Sequence, residues 1–139
     1  MPATSDSIFT RIIRGEIPCH RVFENEFVFA FLDIHPLADG HTLIVPKLQV
    51  ERLEQLPADH AAEVARQFAR IARAVLSATG ADGYNLLQNN GKAAGQEVPH
   101  VHFHIIPRRH GDGLGYRWNA KDSESAALAA LAERIRAHV

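Results

Sequence analysis

The most concentrated chemistry in this chain lies in His100-Val101-His102-Phe103-His104, where three imidazoles fall within five residues. On an extended strand, successive side chains point to opposite faces. His100, His102 and His104 would then share one face, about 6.6 Å apart along the strand. Val101, Phe103 and Ile105 would share the other face and face the core. A buried imidazole is costly unless its ring nitrogens find partners, so three on a half-apolar strand imply a task. Neutral imidazole is available near pH 7 and is a good nucleophile toward phosphorus. The preceding loop runs from Asn89 to Pro99. Asn89 and Gln96 supply neutral donors, and Gly91 and Gly95 let backbone N–H groups approach a ligand. Pro99 suits the first residue of a strand. A donor-lined loop running into a histidine strand reads as a phosphate site. Two other readings stay open on spacing alone. One is a solvated histidine strand. The other is a transition-metal site with two ligands from His-x-His and a third from His41 or Glu97.

Elements must hold those residues in place. Ile8, Phe9 and Ile12 fall on one side of a short helix over 8–14, which Gly15 can end. Val22–Glu24 and Phe27–Leu32 read as strands around an Asn25-Glu26 turn. Residues 33–40 form a loop by their Asp, Pro and Gly content, and His41–Val45 is a third strand stopped by Pro46. Val64, Phe68, Ile71 and Val75 recur at helical spacing, which predicts one long helix from about Pro57 to Thr79, closed by Gly80. Tyr84–Gln88 and Val101–Ile106 complete five strands. A glycine-rich loop spans Arg108–Trp118, in which Trp118 reads as closing the site or a dimer contact or, equally, as plain core or surface packing. A last amphipathic helix over about 123–137 carries Leu128, Leu131 and Ile135. This order predicts an α+β domain with a small, mostly antiparallel five-stranded sheet. The open edges of so small a sheet point to a twofold homodimer.

Composition narrows the function classes. The chain has 139 residues, 46% hydrophobic and 22% charged, which fits a single soluble domain over 1–139. Fifteen basic side chains face sixteen acidic ones, a formal net charge of −1. No electrostatic footprint for nucleic acid or an anionic membrane follows from that balance. Cys19 is the single cysteine, so no internal disulfide can form and the chain reads as intracellular, with a cytoplasmic location expected. No apolar run approaches a membrane span, and no signal peptide is visible. His20, His35, His60, His110 and His138 join no constellation and read as surface or loop residues.

His-x-His-x-His followed by Ile105-Ile106 and preceded by Gly95-Gln96-x-Val98 resembles the signature of histidine-triad (HIT) nucleotide hydrolases. The likeness extends upstream to Ser7–Pro18, Phe29–Ile34 and Gly40–Lys47, and covers roughly 7–118. It implies a HIT-like fold and reaction at the α-phosphate of a purine nucleotide conjugate, either a nucleoside phosphoramidate or a dinucleoside polyphosphate. His102 would attack phosphorus and form a nucleotidyl-histidine. His104 would hydrogen-bond the phosphate, while His100 and His41 orient the cluster. Asp33 would bind the ribose hydroxyls; taken alone, it reads first as a turn carboxylate bonding local amides, a preference the neighbouring likeness reverses. Asn89, Gly95, Gln96, Glu97 and Val98 would surround the phosphate. Ile8, Phe9, Ile12, Phe31 and Ile34 would wall the base. Neither a metal nor a cofactor is expected. Two departures from the family pattern stand out. Glu97 occupies a position where many relatives carry Ser or Thr, which bears on the leaving group. Ser7, Thr10 and Gln49 stand where some bacterial members bind structural zinc. A nucleotide sensor with little turnover, and a metal-dependent hydrolase, are the alternative functions.

Overall fold

The computed structural model describes residues 5–115 and 120–139; Trp118 lies outside them. Helix α1 (Ile8–Ile13) is followed by strands β1 (Arg21–Glu24), β2 (Val28–Leu32) and β3 (Thr42–Pro46). Helices α2 (Ala58–Ala65) and α3 (Phe68–Thr79) come next, then β4 (Gly83–Gln88), β5 (Phe103–Arg108) and α4 (Ser125–Arg136). Single 3-10 turns at Leu53–Gln55 and Lys92–Ala94 punctuate the long connections. The five strands form one sheet in the order β1-β2-β3-β5-β4, every pair antiparallel. The expected α+β architecture is the one observed.

Both faces of the sheet are covered, which explains why β2 is buried at four consecutive positions. Val28 and Ala30 of β2, Ile44 of β3 and Ile105 of β5 point to the side roofed by α2 and α3. There they pack with Val64, Ile71, Ala72 and Val75. Phe29, Phe31, Leu43 and Val45 point to the other side and pack with Phe9 and Ile12 of α1. The strand alternation at β5 therefore sends Phe103 and Ile105 to the helix-covered side, and His102 and His104 to the other.

The structure departs from the sequence expectation at three places, apart from shifts of one or two residues at element ends. Strand β3 is not stopped by Pro46 but includes it, paired with Val28. The helix expected over 57–79 is two helices, divided at Arg66–Gln67, and Pro57 caps α2 from outside its first turn. Across the division Gln67 N–H bonds Val64 C=O, a tighter i−3 link, while Arg66 and Gln67 keep right-handed dihedrals. The apolar spacing therefore runs through a break it does not register. Strand β5 begins at Phe103 and not at Val101. Residues 100–102 leave the ladder because Val101 N–H bonds Val50 C=O at 2.9 Å.

Gly40 enters β3 with φ +92°, and a Cβ there would come within 2.5 Å of the Thr79 methyl at the end of α3. Only glycine lets this loop lie against α3 and deliver His41 to the sheet.

Candidate active site

One row of strand partners runs from the core into the floor of the site, which its members Leu43, His104 and Leu87 line. Phe31 pairs with Leu43, Leu43 with His104, and His104 with Leu87. Beside this row lies a cavity of about 320 Å³. Its lining includes His41, His102 and His104, Asp33, Phe9 and Asn89. Gly95, Glu97 and Val98 close it from the preceding loop. Gly95 holds φ +93°, so the loop turns there without a side chain.

Hydrogen-bond partners assign the protons on all four histidines, because several partners can only accept or only donate. His100 is fully buried, and its Nε2 lies 2.8 Å from the Pro46 carbonyl, which can only accept. The proton is therefore on Nε2, and His100 Nδ1 accepts from the Ser7 hydroxyl at 2.6 Å. His102 Nδ1 lies 2.7 Å from the carbonyl of His100, so Nδ1 carries the proton and Nε2 keeps its lone pair. His41 Nδ1 accepts from the Leu37 N–H at 3.1 Å, so Nε2–H of His41 donates to His104 Nδ1 at 2.9 Å. That leaves Nε2–H of His104 as a free donor. Among the described residues, no buried side-chain nitrogen or oxygen lacks a partner. The unpaired Nε2 atoms of His102 and His104 are therefore the ones that reach solvent in the cavity. A lone pair and an N–H donor stand side by side on rings whose centroids are 4.9 Å apart.

Burial lowers the pKa of His41, His100 and His102 below the ordinary imidazole value. His104 is pushed down to about 4, first by burial and then by His102 and His41. All four rings are neutral at pH 7, as the proton assignment requires.

Asp33 does two things at once. One carboxylate oxygen accepts the His35 N–H at 2.8 Å, as a turn carboxylate does. The other faces His41 Nε2 at 3.7 Å and the cavity. Asp33, His41 and His104 converge closely enough to suggest a cation site. The nitrogens there are already engaged with each other: His41 Nε2 carries a proton and His104 Nδ1 accepts it. A metal ion would have to break that bond and displace that proton, so these residues do not fit one as arranged.

The remaining sequence candidates divide. Gln96 is buried and spent on the loop: its amide nitrogen donates to the carbonyls of Glu51 and Val98, and its oxygen accepts the Gly91 N–H. It shapes the loop and does not line the cavity. Ile12 and Phe31 sit in the core beneath Phe9. Ile8 and Ile34 are exposed, and neither lines the cavity; Ile8 borders a neighbouring cleft of about 640 Å³. Glu97 and Val98 border both spaces. His35, Leu37, Leu43, Leu87 and Ile106, which carry no site signal in the sequence, also line the cavity. Leu43 and Leu87 could be found only from the strand register, since each is the partner of His104.

Fold and site together define a small antiparallel α+β protein whose sheet carries a neutral histidine cluster beside a loop-walled cavity. The model of the HIT domain matches residues 14–111, and the chain belongs to the HIT family. It is 53% identical over 106 residues to an uncharacterised HIT-like protein of Methanocaldococcus jannaschii, covering 76% of this chain and 81% of that protein. It is 42% identical over 139 residues to adenosine 5′-monophosphoramidase HNT1 of Saccharomyces cerevisiae, covering 98% of this chain and 85% of the yeast protein. The crystal structure of a HIT family member from Bacillus subtilis superposes with a TM-score of 0.93 at 38% identity, covering 97% of this chain and 98% of that one.

Proposed function

We propose that the protein, acting as one domain over 1–139, hydrolyses or transfers purine nucleotide conjugates at the α-phosphate through a nucleotidyl-histidine on His102. The observation that carries this reading is the His102 Nδ1–H bond to the His100 carbonyl, which leaves Nε2 as an unprotonated nitrogen at the cavity. The monophosphoramidase name of the yeast relative supports a phosphoramidate as substrate.

In the first step the Nε2 lone pair forms a bond to phosphorus, and the bond from phosphorus to the leaving group breaks. The departing amine takes a proton from solvent. His102 becomes a cationic nucleotidyl-imidazolium, its charge eased by the Nδ1–H···O bond. His104 Nε2–H donates to a non-bridging phosphate oxygen as charge builds. In the second step water attacks phosphorus, the P–N bond breaks, and the electron pair returns to Nε2. The water gives up its proton to solvent, and the nucleoside monophosphate leaves. Asp33 receives the ribose hydroxyls, Phe9 flanks the base, and Asn89 with the Gly95–Val98 backbone holds phosphate. Glu97, exposed on the rim with no basic partner in the cavity lining, disfavours a polyanionic leaving group and so favours an amine.

Single-turnover reaction with adenosine 5′-phosphoramidate tests this. The expected result is an adenylyl group on His102, then AMP, with slower turnover of a diadenosine polyphosphate. His102→Asn is expected to abolish both products while the protein stays folded. Unchanged AMP release by that variant would remove the mechanism, and a faster polyphosphate reaction would remove the leaving-group preference.

A second copy of the chain is the partner in this reading. Strand β4 is an edge of the sheet with Tyr84 and Leu86 exposed, and Leu128, Leu131 and Ile135 of α4 are exposed on a single chain. Sedimentation as a monomer at micromolar concentration would remove the homodimer.

A further inference from the structure

We infer that Ser7 is a positioning residue for His102, holding in one hydroxyl both groups that fix the nucleophilic ring; the inference rests on the role just proposed for His102. Ser7 is buried, and its side chain joins two segments far apart in sequence. It is the N-cap of α1: its Oγ accepts the Thr10 N–H at 3.0 Å. The same Oγ donates its proton to His100 Nδ1 at 2.6 Å.

Each of these bonds leads to His102. Through the cap, Ser7 sets the start of α1, and Phe9 in its first turn meets the His102 ring edge-on with centroids 4.9 Å apart. Through His100, Ser7 pins a ring whose far nitrogen is tied to Pro46. The backbone carbonyl of that same His100 receives the His102 Nδ1–H. One hydroxyl therefore controls the aromatic wall on one side of the nucleophile and the acceptor that selects its tautomer.

Ser7 is itself held in place. Its N–H donates to Gln49 Oε1 at 2.9 Å, the same oxygen accepts the Thr10 hydroxyl at 2.6 Å, and Gln49 Nε2 donates to the Ser5 carbonyl at 3.0 Å. The clasp is closed, with the Ser7 and Thr10 hydroxyl oxygens 3.3 Å apart and their protons directed to His100 Nδ1 and Gln49 Oε1. Its effect on chemistry passes through geometry and proton location, not through contact with the reacting phosphorus.

Three variants separate positioning from mere stability. Ser7→Ala is expected to slow adduct formation and kcat about tenfold, with KM within twofold, when rates are counted per site titrated by the burst of AMP-histidine. Ser7→Thr, which keeps the hydroxyl, is expected to restore most of the rate. Ser7→Gly removes the hydroxyl but keeps a tolerated cap residue, and serves if Ser7→Ala does not fold. Histidine 15N shifts supply a readout independent of turnover. Wild type is expected to show His102 in the Nδ1–H form alone, and the variants lacking the hydroxyl a mixture of both tautomers. A variant without the hydroxyl that keeps the wild-type rate per site and a single tautomer overturns the inference. If wild type forms no adduct, the proposed function fails, and the 15N comparison still decides the role of Ser7.

Discussion

The helix-covered face of the sheet and the histidine face bury their residues to similar depth, yet hold them by different physics. On the helix side, Val28, Ile44, Val64, Ile71 and Ile105 have no polar side-chain atoms, and all are at most 1% exposed. Apolar burial and dispersion hold that side, and such a core accepts other side chains of similar volume. On the opposite side His41, His100 and His102 are 3%, 0% and 6% exposed. There every buried nitrogen needs a partner of the right sense, and one set of proton positions satisfies them all. A packed apolar layer tolerates many solutions; a chain of hydrogen-bonded neutral imidazoles tolerates few. The lesson is that the histidine side is over-determined in proton location, as the nucleophilic role proposed for His102 requires, while the helix side supplies the rigidity beneath it.

This contrast can be broken or sharpened by experiment. Ile71→Ala on the helix side is expected to cost about 2–5 kcal/mol of stability, read from denaturant midpoints. The kcat per folded molecule should not change, and a change would show that the two faces are not independent. On the histidine side, His104→Ala should strike both quantities. Loss of a donor to the phosphate is expected to lower kcat about 10²–10³-fold. Stability should also fall by about 1–3 kcal/mol, because His41 Nε2–H is left buried without its acceptor. Intact stability in that variant would mean that the His41–His104 bond does not hold the cluster.

The pH dependence sharpens the comparison further. In the unfolded chain, histidine titrates near 6.5, whereas His104 in the folded protein is held at about 4, with His41, His100 and His102 also lowered. Between those values the unfolded state binds more protons, so stability is full above about pH 6.5 and declines as pH falls toward 4. His104 alone contributes a loss on the order of 3 kcal/mol across that window. Calorimetric melting at pH 7.5 and 4 measures it. Ile71→Ala should shift both melting points equally, since no proton is involved. A flat pH profile in wild type would contradict neutral burial of the imidazoles.

Much of this was legible in the chain of residues. The alternation of His102, Phe103, His104 and Ile105 gave the two faces, because side-chain parity on a strand is a local property. Gly80 closed α3 where expected, with left-handed dihedrals. The division of the long helix was not legible, since the residues that make it remain nearly helical. His100 was expected on the strand with its two companions. Its place off the ladder depends on the carbonyls of Val50 and Pro46, some 50 residues away, and nothing local announces them.

Residue type and spacing alone determined that this protein would carry an imidazole cluster on one side of a small antiparallel sheet, next to a loop rich in donors. Only the tertiary structure decided which nitrogen bears a proton on each ring, that Gln96 serves the loop and not the cavity, and that Leu43 and Leu87 floor the site. Composition and periodicity act over a few residues at a time. Proton location and cavity lining depend on which distant carbonyl, hydroxyl or strand partner arrives at each atom, and that is fixed only when the strands take their register.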